Sequence, residues 1–111
     1  ATRALMLASE GYSLRVMLPE TLTEEREEHL VVELWGPDGH PVEDDDLVLI
    51  FLDAGGDEHG VTAHPGAIPG RYEVNRRFQG VGTHGMRILP SDSSVDLRVL
   101  FEVSAEARTN S

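Results

Sequence analysis

The chain contains no cysteine, which removes disulfides, thiolate metal sites, thiol redox chemistry and a cysteine nucleophile from consideration. It contains no lysine either: its nine basic residues are all arginine, set against twenty Asp and Glu, for a formal net charge of −11. Phosphate recognition depends on clustered Lys and Arg, so this balance argues against nucleic acid as a partner. Long apolar runs are missing too. The longest, "ALML" at 4–7 and "LVLIFL" at 47–52, fall far short of the ~20 residues that a membrane-spanning helix needs. There is no G-x-S-x-G turn, and no serine stands in a nucleophile-elbow context. Those absences point away from an enzyme.

What the chain does have is punctuation. Eleven glycines and six prolines cut it into short segments in which apolar residues recur with period two rather than 3.6. In "YSLRVML", Tyr12, Leu14, Val16 and Leu18 share one face. In "HLVVELW", Leu30, Val32 and Leu34 oppose Val31, Glu33 and Trp35, and in "VDLRVLFEV" Val95, Leu97, Val99, Phe101 and Val103 oppose Asp96, Arg98 and Glu102. Reversing turns are expected at "GPDGHP" (36–41) and at Pro69-Gly70, where glycine and proline supply the special φ values. "LVLIFL" is apolar on both faces, as befits a central strand or a strand at a subunit contact. The acidic stretch 20–28 lacks an apolar stripe and reads as a solvated connection.

With "TRALML" included, seven or eight short strands predict an immunoglobulin-like antiparallel β-sandwich, all-β, in one domain spanning 1–111. Its core is expected over about 3–103, with 104–111 a frayed tail. Leu14, Val16, Val32, Leu34, Tyr72, Val74, Val99 and Phe101 are the expected core residues, and Trp35 is a candidate counterpart of the core tryptophan of such sandwiches.

The chemistry on offer is mostly imidazole. "GDEHGVTAHPG" (56–66) places His59 and His64 beside Asp57 and Glu58, a donor set suited to copper or zinc. The two histidines are an odd number of residues apart, so an extended backbone sends them to opposite faces. A shared ion therefore needs this glycine-rich loop to bend back. His84 joins them only if its "THG" turn lies at the same end, with Met86 a further, soft candidate ligand. A mobile loop predicts weak copper or zinc binding, or no cofactor at all. The run "EDDD" (43–46) lacks EF-hand spacing and reads as a charged turn. Arg71, Arg77 and Arg87 are outward by parity, either pairing with local acids or forming a contact patch. Val31, Trp35 and Leu100 are outward apolar candidates for a protein partner or self-association.

The order "GYSLRVMLPETL", then "LVVELWGPDGHPVEDDDLVLIFL", then "AIPGRYEVNRRFQGVGTHGMRI" resembles the bacterial YtkA-like and FixH-like envelope domains over residues 11–103. Filamin-type repeats share its "G-x-Y" and "G-x-H" elements. The resemblance implies a periplasmic or extracellular binding or assembly module. Its alternative implication is a metal-handling domain that uses His59, His64 and His84. In the resembling families a Met-, Gly- and His-bearing loop follows the central strand. Here that segment reads "DAGGDEHG", with the histidine kept and both methionines gone, which weakens a copper(I) role because thioether sulfur suits that soft ion.

Overall fold

The computed structural model describes residues 1–91 and 94–106. Nine strands carry the described residues: β1 (Thr2–Ser9), β2 (Tyr12–Pro19), β3 (Leu22–Thr23), β4 (Glu27–Trp35), β5 (Leu47–Leu52), β6 (Glu58–Pro65), β7 (Arg71–Arg77), β8 (Gly82–Leu89) and β9 (Leu97–Ser104). No helix occurs among the described residues, so none is long and apolar enough to cross a membrane. The strands form one curled sheet in the order β1-β2-β4-β7-β6-β5-β8-β9-β3. All pairings are antiparallel except β3 with β9.

β6 links the two halves. Its first six residues pair with β5, and its end, His64 and Pro65, pairs with Glu73 and Tyr72 of β7. The inner faces of both halves enclose one core that includes all eight residues expected there. The period-two reading of β2 and β9 is visible directly: Leu14, Val16 and Leu18 are buried, as are Leu97, Val99, Phe101 and Val103.

Three expectations need correction. The strand count is nine, not seven or eight, because two segments without a clean apolar pattern still join the sheet. One is the acidic connection, in which Leu22 is buried and pairs with Val103 in parallel; a single apolar side chain of the right parity is enough to anchor it. The other is the histidine-bearing segment. It is a strand rather than a loop, because β5 supplies backbone partners along its length while Ala63 faces the core. Third, Trp35 has the outward parity of Glu33 and is only partly buried; Tyr72 leads the fully buried side chains by volume. Its hydroxyl donates to the Val42 carbonyl at 2.7 Å and accepts from the Asp44 N–H at 2.6 Å, which ties the acidic turn to the core. Of the tail expected to fray, Ser104 still belongs to β9, and 107–111 lie outside the described residues.

On the outer face of β4, Glu33 lies directly between Arg15 of β2 and Arg71 of β7. Arg71 Nη2 reaches its carboxylate at 3.1 Å, and Arg15 pairs with its other oxygen. Burial works to raise the Glu33 carboxyl, but the hydrogen bonds from Arg15 and Arg71 outweigh it and hold the group below its usual range. A carboxyl depressed in the folded state contributes stability above its unfolded value of about 4.3, and loses it as pH falls through the lower folded value. Glu33→Gln is therefore expected to lose stability at pH 7 and to converge on the parent in acid. Urea melts between neutral and acidic pH check this; a difference independent of pH would contradict it.

Candidate functional site

Parity along the strands sends the histidines to separate places. On β7, Tyr72 and Val74 point inward, so Glu73 and Asn75 face out; on β4, Leu30 and Val32 point inward, so His29 and Val31 face out; on β6, Ala63 points inward and His64 out. His29 lies across from Asn75, and Glu73 has Val31 on one side and His64 on the other. The outer face of β4, β7 and β6 thus gathers His29, Glu73, Asn75 and His64 around one shallow cleft of about 410 Å³.

Contacts already join part of this group. His29 Nδ1 meets Asn75 Oδ1 at 2.8 Å, and His29 Nε2 meets Glu73 Oε1 at 3.0 Å. His64 is exposed, and side chains directly opposite in an antiparallel pair have Cβ atoms about 4.5–5.5 Å apart. Among the described residues no three His, Asp or Glu side chains yet converge on one point.

His59 has the opposite parity. It sits at the mouth of a second cleft, of about 390 Å³, at one end of the core. Its Nε2 is 3.4 Å from Asp53 Oδ2. Asp53 is committed to the β5–β6 turn: Oδ1 accepts from the Gly55 and Asp57 N–H groups, each at 2.9 Å. Those backbone bonds, the one from Asp57 foremost, hold its carboxyl below the usual range despite a smaller opposing effect of burial. His84 is 3% exposed, packs edge-on against Phe78 and places Nε2 2.6 Å from the Gly80 carbonyl. It is part of the core. Met86 is fully buried and is not placed to act as a soft surface ligand. Arg76 and Arg77 line the same end cleft together with Asp53 and Asp57, so its lining carries charge of both signs.

The three histidines singled out from sequence are therefore not brought together: His59 and His84 line the end cleft, and His64 belongs to the outer face. Sequence reasoning missed His29 and Glu73 as its neighbours. Their outward parity was legible in "HLVVELW" and "GRYEVN"; the adjacency of β4, β7 and β6 was not.

The arginines proposed for a contact patch are also dispersed. Arg71 pairs with Glu33, Arg77 Nη1 donates to the Glu25 carbonyl at 2.8 Å, and Arg87, on the other half of the sheet, pairs with Asp96 at 3.0 Å and Glu58 at 3.6 Å. Val31 and Trp35 are partly buried on the outer face of β4. Leu100 is 59% exposed on the outer face of β9, on the half of the sheet that carries Val48.

A curled β-sandwich of this kind is shared with solved proteins. One is FetP of uropathogenic E. coli strain F11, recombinantly expressed in the periplasm of E. coli: 13% identity, TM-score 0.56, covering 92% of this chain and 93% of that one. Another is CopC from Methylosinus trichosporium OB3b, with 16% identity and TM-score 0.54 over 97% of this chain and 100% of that one. At these identities the likeness is one of fold. No family description and no curated sequence matches the chain.

Proposed function

We propose that this chain is a non-catalytic, periplasmic metal-handling domain of immunoglobulin-like type. Its outer β4–β7–β6 face would take zinc or copper(II) on His29 and His64, with Glu73 between them. The observation that carries this reading is the His29–Glu73 contact at 3.0 Å, with His64 directly across the strand pair from Glu73. Two imidazoles and a carboxylate are a donor set for those ions. Asn75 adds what a ligating imidazole needs: by accepting from Nδ1–H it fixes the ring and leaves Nε2 as the metal-facing nitrogen. The periplasmic setting is supported by the compartment in which FetP was produced.

Calorimetric titration of tag-free protein with zinc and with copper(II) at neutral pH tests the reading. One-to-one binding is expected, weakened at least ~10-fold in His29→Ala and in His64→Ala and unchanged in His59→Ala. Affinity should fall as the solution is made more acid, because protons compete with the ion for the imidazole nitrogens. Absence of stoichiometric binding, or binding lost only in His59→Ala, would overturn it.

A second reading, a binding or assembly module, draws on the other half of the sheet. There Val48 is 41% exposed and Leu100 59% exposed, with Ile50 and Leu52 partly buried on the same outer face. Metal-free self-association that is abolished by Leu100→Asp would favour it.

A further inference from the structure

The sheet has two ends, and they are built differently. At one end β3 offers only two residues, set among Glu20, Glu24 and Glu25. At the other lies β1, eight residues long, paired with β2 without interruption from Thr2 to Ser9 and with no strand on its outer edge among the described residues. Edge strands are normally guarded by shortness, proline, a bulge or several charges. β1 has none of these: "TRALMLAS" holds no proline and a single charge, Arg3, in a chain with twenty acidic residues.

The phase of the backbone decides which groups that edge presents. Glu10 and Gly11, at φ 49° and 86°, form the two-residue turn that joins β1 to β2; positive φ at both centres marks the hairpin turn that a hydrogen-bonded pair closes. That pair is Ser9 with Tyr12, and at the far end the Glu20 N–H donates to the Ala1 carbonyl at 3.1 Å. Hydrogen-bonded pairs alternate along an antiparallel ladder, so the odd positions bond to β2 while Thr2, Ala4, Met6 and Ala8 turn their N–H and C=O groups to the open edge. Met6 is 77% exposed, and Leu5 and Leu7 are only partly buried against the core.

We infer that the β1 edge pairs with β1 of a second copy of this chain, antiparallel about a two-fold axis at Leu5. In that register Thr2 faces Ala8 of the second copy and Ala4 faces its Met6, so all four open positions are matched at once. Leu5 faces Leu5 of the second copy in a non-hydrogen-bonded pair, about 4.5 Å apart at Cα, which covers a leucine that the single chain leaves partly exposed. Arg3 faces Leu7 of the second copy, so no like charges meet. The occupant is a second copy because the strand is complementary to itself in this register and free of the acids that surround the other end of the sheet. Using the same patch on both copies closes the assembly as a dimer. β2 stands between this edge and the β4–β7–β6 face, and Val48 and Leu100 lie on the other half of the sheet, so the pairing depends on neither reading above.

The test is sedimentation of the metal-free chain over a concentration series, read together with amide hydrogen exchange. A reversible monomer–dimer equilibrium is expected, strengthened by added salt, which screens the repulsion between two copies of net charge −11. The amides of Thr2, Ala4, Met6 and Ala8 should gain protection as the dimer forms. Met6→Pro removes an outward N–H that β2 does not use and should weaken dimerisation at least ~10-fold, whereas Leu100→Asp should leave it unchanged. Should Met6→Pro fail to fold, cross-linking carries the test. The chain has no cysteine of its own, so Leu5→Cys should oxidise to a covalent dimer, while Leu7→Cys, about 13 Å from its own counterpart in this register, should not. A monomer at every concentration, equal cross-linking at the two positions, dimerisation indifferent to Met6→Pro, or even-position amides already protected in the monomer, as cover by the chain's own tail would make them, would each overturn the inference.

Discussion

Phe78→Ala is expected to destabilise the protein by about 3–5 kcal/mol, the range for removing a buried aromatic from a packed core. Phe78 is 2% exposed and meets three rings edge-on: Phe101 at 5.4 Å, His84 at 5.6 Å and Phe51 at 5.9 Å between centres. Those partners come from β9, β8 and β5, while Phe78 itself follows β7. One side chain thus ties three strands of one half of the sheet to the end of the other half. The contact between the Phe78 carbonyl and Glu25 N–H, 2.9 Å, belongs to the backbone and survives the substitution, so the loss reports packing. For a chain of this size a thermal midpoint lowered by more than ~10 °C should follow. Equilibrium urea unfolding measures it, and a loss below about 1 kcal/mol would contradict burial at a packed junction.

Gly70→Ala is the second large effect, expected at about 2–4 kcal/mol. Gly70 occupies the left-handed region at φ +81°, and a Cβ there would stand 2.7 Å from the Pro41 Cβ and 3.0 Å from the Leu34 carbonyl oxygen. The turn it closes is tight, with the Arg71 N–H bonded to the Ile68 carbonyl at 3.0 Å, and the Gly70 carbonyl accepts from Leu34 N–H at 2.9 Å. Pro69 and Gly70 are the residues such a turn requires at its two centres. Gly39 supplies an internal control: its φ is +80°, yet a Cβ at that position would meet nothing within 4 Å. Gly39→Ala should therefore show only the left-handed penalty of about 1–2 kcal/mol, and the excess at Gly70 measures the clash. Equal losses in the two variants would contradict the close approach of Pro41 and Leu34.

The architecture was legible where a strand has one wet and one dry face. β2 and β9 alternate so strictly that their buried residues could be named from sequence, and the turns at 36–41 and 69–70 carry the residues that their backbone demands. Legibility failed where neighbours rather than local pattern decide. Glu58–Pro65 is polar and glycine-bearing, yet pairing with β5 makes it a strand. Leu22 is a lone apolar residue among acids, yet β9 holds it in the core.

The candidate site shows the same limit more sharply. The odd spacing of His59 and His64 correctly separates their faces, because it depends only on backbone period. Grouping His64 with His29 and Glu73 depends on strand order, which sets residues 29, 64 and 73 on three adjacent strands. No local signal in the sequence encodes that order. The same holds for Arg76, whose inward parity is readable in "RYEVNRRF" but whose seat 5.1 Å from the centre of the Phe51 ring arises only when β5 and β7 face one another across the core.

Crystals grown with zinc and measured on both sides of its absorption edge locate the ion directly. The expected result is one strong anomalous peak on the outer β4–β7–β6 face, ~2.0–2.1 Å from a ring nitrogen of His29 and of His64, with the Glu73 carboxylate as the oxygen ligand. A peak at the end cleft beside His59 and Asp53, or the absence of any protein-bound peak at saturating zinc, would contradict the assignment of metal handling to that face.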